Sequence, residues 1–591
     1  MTFRWVENNP FNRELPVWTR AYAAELLPGP VTPLGWDIVW TTGVNDGWRD
    51  AMVDRMGFGP SEISADAPEL VGIFGGYAYL NASLLRVWAA RTPALAPNHV
   101  DTAYFVEHPE MPVYAPAAWH EASESAHGKL THWLSWVLVD QNQSELEAGR
   151  VLSAEARADR PKLAELSDGD VVEHALGLKP LVRALASQHL TQALAASIGP
   201  GIIAAICDEV GLPTNATALI SGLGEIESVS PTHAMWTLSR MVRASPALAV
   251  MFDDGVARLN DRLRSSDEVE VVSFVAGLDA LSAEVGFRAV VEWDPCGPTW
   301  ETDPEVVLGA IDQLRRRPDD ADPSHRFAQR EAERRALVKE IGEVAAKRPA
   351  TKEHFDAAVA ATDAFVRGRE RAKANVSRVV HEIRLALREL GERASARGDV
   401  ADPDDLQMLF ADELEYYADG GLSKVREITD ERRAHIEWLR SIVPPFIIKA
   451  EPPPVERSPV APRAGSRNRG SPLGGEVLFG KPGSSGVGRG RARIVLDVDP
   501  GVELDTGDVL VATSAPELLT PLFVGAAAVV VEEGGLLSHA TIICRELGVP
   551  AVVRATGATA RIRDGDLVEV DGVTGIVTVV EAADGGLLSP K

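Results

Sequence analysis

Cysteine, long apolar runs and a targeting segment are scarce or missing in this sequence. Only three cysteines occur among 591 residues, and Cys207, Cys296 and Cys544 show no spacing typical of a metal site. No run of about 18 apolar residues, the length that crosses a membrane, is present, because Gly199-Pro200-Gly201 interrupts the nearest stretch. The first residues lack the basic start and apolar core of a signal peptide. These absences predict a soluble, cytoplasmic protein in a reducing compartment, with no membrane partner and no metal site of its own.

Positive charge is also in short supply. The chain has 59 Lys and Arg against 86 Asp and Glu, which gives a net charge of −27. A surface of this sign argues against nucleic acid as a partner and against anionic membranes, which both bind through excess basic residues. It would also repel a phosphorylated substrate unless basic residues were gathered locally. We therefore look for local clusters of Arg and Lys inside an acidic protein.

The chain is too long for one hydrophobic core, and one segment divides it clearly. Residues 451–474 are rich in Pro, Ser, Gly and Arg and contain almost no large apolar side chains, which is typical of a flexible linker. A weaker break lies at 316–325. We predict a helical substrate-binding domain over 1–450, this linker, a small domain over 475–582 and a tail over 583–591.

The two sides of the linker differ in periodicity. Before it, stretches such as 325–347 and 354–390 repeat apolar residues every three or four positions, as helices do. After it, short β-branched runs alternate with Gly and Asp turns, which is typical of strands. The predicted fold class is therefore multidomain, with a mainly α-helical substrate domain and a small C-terminal α/β (β/β/α) domain.

One histidine stands at the start of a predicted helix in the small domain. In "EEGGLLSHATIICRELGVP", Ser538 is a good helix N-cap, His539 lies on the first turn, and Gly548 ends the helix. The unpaired amides of a helix start attract anions such as phosphate and favour a neutral, nucleophilic imidazole. Gly534 and Gly535 would let the backbone approach a phosphate closely. His539 is a candidate phosphoryl acceptor on these grounds, and a polar first-turn residue without chemistry is the alternative.

The same stretch carries a family resemblance. Residues 534–553 resemble the swivelling phosphohistidine domain of phosphoenolpyruvate-utilising enzymes, whose signature combines a Gly-Gly turn, Ser/Thr-His and Arg-Glu-x-Gly-x-Pro-Ala-Val. The flanking stretches extend the resemblance over about 475–580. It implies that His539 carries the phosphoryl group and that Gly534, Gly535 and Ser538 form the loop that holds it.

A second resemblance covers the helical part. Stretches including "ELLPGPVTPLGW", "GGYAYLN" and "DPDDLQMLFADEL" follow, in order, the substrate domain of rifampin phosphotransferases and related phosphoenolpyruvate-synthase-like proteins. In that family an ATP-grasp domain precedes the substrate domain, and we find neither it nor a glycine-rich phosphate loop in this sequence. The resemblance implies that a separate ATP-grasp protein binds ATP and Mg and loads His539, so that this chain binds no cofactor directly.

The receiving site is predicted on one helix and one loop. Arg369 and Lys373 fall on the apolar stripe of the helix over 354–390, where cations need an anion or carboxylate to be stable. They either stabilise a transferring phosphoryl group, or extend to solvent or form ion pairs with a neighbouring helix, and the resemblance to the basic pair of rifampin phosphotransferases favours the first. Glu25 is the candidate proton acceptor for the attacking hydroxyl, or else a surface residue. It stands where rifampin phosphotransferases carry a glutamine pair, which argues against rifampin as the substrate.

These observations favour one function and leave two alternatives. The favoured function is a phosphotransferase component that passes a phosphoryl group from His539 to a hydroxyl of a small organic molecule. In one alternative the phosphate becomes a leaving group, so that the net reaction is dehydration of an alcohol in natural-product biosynthesis. In the other, the chain is a non-catalytic regulatory or scaffold relative. The intact histidine loop, the linker and the basic pair argue against the scaffold.

Overall fold

The computed structural model describes most of the chain and divides it into two compact units. It describes residues 8–65, 69–105, 110–212, 216–224, 226–227, 229–452, 476–496, 504–514, 520–535 and 538–583. The first unit contains the described residues up to Ile206, then Val291–Gly297, and those from Arg348 to 452. The second unit contains those in Cys207–Val290 and Pro298–Lys347, together with the described residues from 476 onward.

Helices form most of the described secondary structure. The α-helices are α1 Ala23–Leu26, α2 Pro33–Gly35, α3 Asp46–Asp54, α4 Ala82–Arg91, α5 Pro97–Ala103, α6 Glu124–Ser135, α7 Ser144–Ala158, α8 Asp168–Gly177, α9 Lys179–Ala195, α10 Ile198–Glu209, α11 Ala216–Leu219, α12 Ser230–Ala244, α13 Pro246–Asp253, α14 Leu259–Arg264, α15 Val269–Val285, α16 Glu305–Arg315, α17 Pro323–Ala345, α18 Pro349–Arg397, α19 Ala411–Ala418, α20 Val425–Leu439, α21 Thr520–Phe523, α22 His539–Leu547 and α23 Ala558–Arg561. Two π-helices span Trp36–Asn45 and Trp136–Asp140 among the described residues.

Short strands form two sheets in the described part of the chain. The strands are β1 Trp18–Thr19, β2 Val71–Phe74, β3 Tyr77–Asn81, β4 Ile447–Ile448, β5 Val477–Phe479, β6 Lys481–Ser484, β7 Val487–Val495, β8 Val509–Ala512, β9 Ala528–Val531, β10 Ala551–Val553, β11 Leu567–Asp571 and β12 Ile576–Glu581. The first sheet has the order β2-β3-β1-β4, and the second has the order β5-β12-β11-β7-β8-β9-β10-β6.

The first unit is built around helix α18. This helix has 49 residues and is therefore about 74 Å long. It packs against α7, α8 and α9, and it ends at Gly398, whose φ of +81° provides a left-handed cap. The predicted apolar stripe of this helix is largely correct. Two of its members, Val359 and Lys373, are half-buried, and the others are buried, namely Phe355, Thr362, Val366, Arg369, Val376, Val380, Ile383 and Leu387.

The small sheet of the first unit was not predicted. Its strands are only two to five residues long, and β1 pairs with β4, more than 400 residues away in sequence, so local periodicity is weak. One local signal was present: Gly75 and Gly76, with φ of +60° and +77°, form the two-residue turn between β2 and β3. A Cβ on Gly76 would lie 2.5 Å from Cδ1 of Leu439, so that position also needs glycine for packing.

The second sheet, with α21, α22 and α23, forms what we call the histidine domain (the described residues of 476–583). Strands β7, β8, β9 and β10 are parallel neighbours. Every side chain of β8 and β9 is buried, because helices or other strands cover both faces of a parallel sheet. In β11 buried and half-buried residues alternate, as in a strand with one solvated face. The β-branched runs that were predicted as strands form β7 to β12, and the helix at 539–547 is also confirmed. Strands β5 and β6 were not predicted.

Two further predictions concern membranes and the linker. One helical run of the described chain, Asp168–Glu209, contains a window apolar enough to span a membrane, but 72% of that window is buried inside the protein. Burial of this extent is typical of a core helix. The predicted linker at 451–474 lies outside the described residues from 453 onward, and the predicted tail does so from 584. The domain boundaries therefore stay a prediction.

Candidate functional site

His539 occupies the first position of helix α22, as predicted. Ser538 is its N-cap in an extended conformation, and its Oγ accepts a hydrogen bond from the amide of Thr541 at 3.4 Å. The hydroxyl of Thr541 donates to the carbonyl of Gly535 at 2.8 Å, which ties the helix start to the glycine loop. Gly534 has a φ of +118°, a conformation that favours glycine. The predicted loop residues Gly534, Gly535 and Ser538 thus surround the start of the helix that carries His539.

The imidazole of His539 has a partner that the sequence analysis missed. Its Nε2 lies 3.0 Å from the hydroxyl of Thr520, at the start of α21, and the histidine is only 6% exposed. A hydroxyl can donate to or accept from a ring nitrogen, so Thr520 fixes the ring without fixing its tautomer. Thr520 comes 19 residues before His539, and no local sequence pattern connects the two.

Arg369 is buried in the first unit and is surrounded by groups that stabilise its charge. It is 3% exposed, its Nη1 donates to Oε1 of Glu370 at 2.9 Å, and its Nη2 donates to the hydroxyl of Tyr22 at 3.3 Å. Burial lowers the pKa of Arg369, but Tyr22, Glu370 and Glu25 raise it by more, so the net pKa lies above its ordinary value. The structure therefore brings Glu25, a predicted site residue, close enough to act on the charge of Arg369.

Lys373 lies one turn further along α18 and is half-buried. Together with Arg369 it acts on His189 of α9, a histidine that the sequence analysis did not select. His189 is fully buried, and burial, followed by the charges of Arg369 and Lys373, lowers its pKa to about 3. Its ring lies 5.8 Å from that of Trp48 and 4.8 Å from that of Trp293. Arg369, Lys373 and Glu25 thus share one region with an imidazole that stays neutral at physiological pH.

Two of the residues that the sequence analysis missed in this region come from other elements. Tyr22 and His189 lie far from Arg369 in sequence, so no local spacing links them to it, whereas Glu370 is its neighbour in the chain. His189 was the most detectable, because it is the one ionisable residue of α9 between positions 184 and 195. Neither of its ring nitrogens has a hydrogen-bond partner within the described part of the chain. Among the described residues, no group of three or more His, Cys, Asp and Glu could hold a metal ion.

Two family models match the chain and cover parts of both candidate regions. The model of the rifampicin phosphotransferase fourth domain matches residues 188–370, which include His189 and Arg369. The model of the PEP-utilising enzyme mobile domain matches residues 504–575, which include Thr520 and His539. Glu25 and Lys373 lie outside both matches.

Curated proteins of several kinds are similar to the chain. An uncharacterized protein of Mycobacterium tuberculosis is 28% identical over 593 residues, which cover 98% of this chain and 63% of that protein. A rifampicin phosphotransferase of Streptomyces sp. is 32% identical over 305 residues, or 50% of this chain and 33% of the enzyme. Chondramide synthase of Chondromyces crocatus is 29% identical over 384 residues, or 62% of this chain and 10% of the synthase. The chain spans less than two thirds of the length of each of these relatives.

These matches confirm the resemblance that the histidine motif indicates. The chain carries a mobile domain of the phosphoenolpyruvate-utilising type, and its residues 188–370 are similar to the fourth domain of rifampicin phosphotransferases.

Proposed function

We propose that this chain is a phosphohistidine-dependent phosphotransferase component. His539 accepts a phosphoryl group and passes it to a hydroxyl of a small organic molecule bound near Arg369 and Lys373. The observation that carries the proposal is the position of His539 at the start of α22, behind Gly534 and beside Thr520, in a segment that matches a mobile domain.

The first half-reaction loads the histidine. A ring nitrogen of neutral His539 attacks the phosphorus of a donor, the bond from phosphorus to the donor's leaving oxygen breaks, and the imidazole loses its proton. The amides at the start of α22 and of the glycine loop hold the phosphoryl oxygens, because a helix start presents unpaired donors and partial positive charge. Ser538 and Thr541 keep that loop closed against the helix.

The second half-reaction delivers the group. The acceptor hydroxyl attacks phosphorus, the P–N bond breaks, and the charge that spreads over the phosphoryl oxygens is stabilised by Arg369 and Lys373. Glu25 receives the proton of the hydroxyl, and the imidazole leaves as a neutral ring after protonation. Glu370 and Tyr22 hold the guanidinium of Arg369 in place for this role.

A separate ATP-grasp protein completes the proposal as the donor. It would bind ATP and Mg and phosphorylate His539, while this chain binds no cofactor directly and acts in the cytoplasm. The net charge of −27 suits a partner that docks through basic residues, since complementary charge speeds association.

The match to a synthase supports a second candidate. Chondramide synthase is named for synthesis and not for phosphotransfer. In a synthetic reaction, a phosphate installed on the acceptor hydroxyl would serve as a leaving group. The phosphate ester would then lose phosphate and a proton from the neighbouring carbon, so that the net result is dehydration. The mass of the product separates the two candidates: a phosphoryl group is gained in the first and one water is lost in the second.

A two-stage experiment tests the proposal. The chain is incubated with labelled ATP and an ATP-grasp protein encoded beside it, freed of nucleotide, and then chased with a fraction of hydroxylated small molecules. We expect label first on the protein and then on a small molecule. Label that stays on the protein with every acceptor fraction would contradict the transfer step. Label that accumulates without the ATP-grasp protein would contradict the need for a partner.

A further inference from the structure

Helix α22 carries a buried carboxylate whose contact lies outside the phosphoryl site. All nine of its residues are buried, and Glu546, near its C-terminal end, is 1% exposed. Oε1 of Glu546 accepts a hydrogen bond from the amide of Leu223 at 3.1 Å. Leu223 belongs to the turn after α11, so this bond joins the histidine domain to the helical part of the second unit.

The turn that receives Glu546 has a geometry suited to a carboxylate. Gly222 and Gly224 flank Leu223 with φ of +66° and +85°, and the amides of all three residues lower the pKa of Glu546. Successive amides in such a turn form a concave site for an anion. Helix α17 supports this turn: a Cβ on Gly222 would lie 2.5 Å from the carbonyl oxygen of Arg330, and Nε of Arg334 donates to the carbonyl of Leu219 at 2.7 Å.

Further hydrogen bonds connect α17 and the residues just before it to the histidine domain. Arg326 donates to the carbonyl of Val524 at 3.3 Å, and Arg317, just before α17, donates to the carbonyl of Leu504 at 3.3 Å. Elsewhere between α17 and the histidine domain a cavity of about 380 Å³ remains, lined by residues that include Ser221, Ser484 and Arg545. Polar, incompletely packed contacts within a chain are typical of surfaces that separate, whereas permanent ones are large and apolar.

We propose that Glu546 is a releasable positioning residue: its bond to the 222–224 turn holds α22, and with it His539, on helix α17, and its release frees the histidine domain. This inference rests on the proposed function, in which His539 travels between donor and acceptor. Glu546 touches no reacting atom and acts only by fixing the helix that carries His539.

The buried position of Glu546 makes the contact sensitive to pH. Burial raises the pKa of Glu546 to about 7 from its ordinary 4.5, although the three amides and Arg334 oppose the shift. The charged groups around it are Arg334 of α17 and Arg545 of its own helix; burial lowers the pKa of Arg545 to about 10, so Arg545 stays protonated between pH 5 and 8. Docking therefore takes up a proton, and the docked state weakens about tenfold between pH 6 and 8 by linkage.

Spin labels test the release in the full chain. Spin labels are attached to cysteines that replace exposed Gln329 of α17 and exposed Thr574 of the histidine domain, in a chain that also carries C296S. Pulsed electron resonance then measures the distance between the two labels. We expect one short distance at pH 6 and a longer population that grows about tenfold by pH 8. E546Q keeps the hydrogen bond without the charge, so its populations should not change over this pH range. The matched control E569Q, on β11, should behave like the parent chain.

Amide exchange of Leu223 gives a second readout that needs no phosphoryl donor. In E546A the exchange rate of the Leu223 amide should be at least fivefold higher than in the parent chain at every pH, after correction for the intrinsic rate. In E569Q this exchange rate should not change. The inference is overturned if E546A keeps the parent's exchange rate and label distance, or if E546Q keeps the parent's pH dependence. If E546A does not fold, E546Q decides alone. A failure to phosphorylate His539 would contradict the proposed function but would leave these readouts unaffected.

Discussion

Two single residues of α18 define the chemistry expected at the acceptor site. Arg369 is held by Glu370 and Tyr22, so its charge is already balanced within the protein and its position is fixed. Lys373 is half-buried, and in the proposed transfer its flexible ammonium contacts the incoming phosphoryl group. Arg369 is therefore suited to provide a fixed positive charge near the phosphoryl group, and Lys373 is suited to contact that group directly.

Removal of the Lys373 ammonium should separate the two half-reactions. K373M keeps the apolar stem, so we expect normal loading of His539 and a fall of about 100-fold or more in transfer to an acceptor. The chase stage of the labelling experiment measures this rate. K352M is the matched control, because Lys352 pairs with Asp356 near the start of the same helix. Loss of loading in K373M would place Lys373 in the first half-reaction instead.

His189 should make the stability of the first unit depend on pH. Its folded pKa is about 3, below its ordinary value of 6.5, so between these values the unfolded chain binds a proton that the folded chain does not. Stability is therefore lost as pH falls from 6.5 towards 3, by up to about 1.4 kcal/mol per pH unit. Urea unfolding followed by tryptophan fluorescence at pH 4.5 to 7.5 measures the slope.

Replacement of His189 isolates this effect. H189F retains an aromatic ring between Trp48 and Trp293 but cannot bind a proton, so its unfolding midpoint should vary less with pH. H127Q, which alters an exposed histidine of α6, should leave the slope as it is. An unchanged slope in H189F would mean that another group causes the acid sensitivity.

At the scale of elements, α22 connects the phosphoryl site to α17. The C-cap Gly548 has a φ of +64°, and a Cβ there would lie 2.5 Å from the guanidinium of Arg330. G548A should destabilise the histidine domain by about 1–2 kcal/mol, through backbone strain and the displacement of this flexible guanidinium. Thermal unfolding measures the change.

A second glycine in the same domain allows the cost of backbone strain to be measured without a close side-chain contact. Gly557 has a φ of +77°, but a Cβ there would lie 3.8 Å from its nearest neighbour, Cδ of Arg561. G557A should therefore cost only about 1 kcal/mol of backbone strain. Equal losses in the two variants would show that the guanidinium of Arg330 moves aside at no measurable cost.

The same elements explain which features the sequence could predict. Helix α22 and the strands around it carry local signals, namely the cap Ser538, the stop Gly548 and β-branched runs, so sequence reasoning places them correctly. Strands β1 and β4 are two residues long and pair across more than 400 residues, so no local signal reveals them. Thr520, Tyr22 and His189 become site residues only through tertiary contacts, and their partners lie on other elements.

At the scale of the whole molecule, the residues of the proposed site fall into two groups, which we call half-sites, one in each unit of this acidic chain. The second unit holds His539 at a helix start, and the first unit holds Arg369, Lys373 and Glu25 within one polar region. In the proposed function each half-site serves one half-reaction, and the phosphoryl group carried on His539 links the two.

The most direct test of this account is the acid stability of the label that the chain acquires with ATP and a separate ATP-grasp protein. We predict a label that is lost in acid and kept in base, as for a phosphoramidate, and that is absent from H539A but present in H127A. A label of equal intensity on H539A would contradict the assignment of His539 as the phosphoryl carrier.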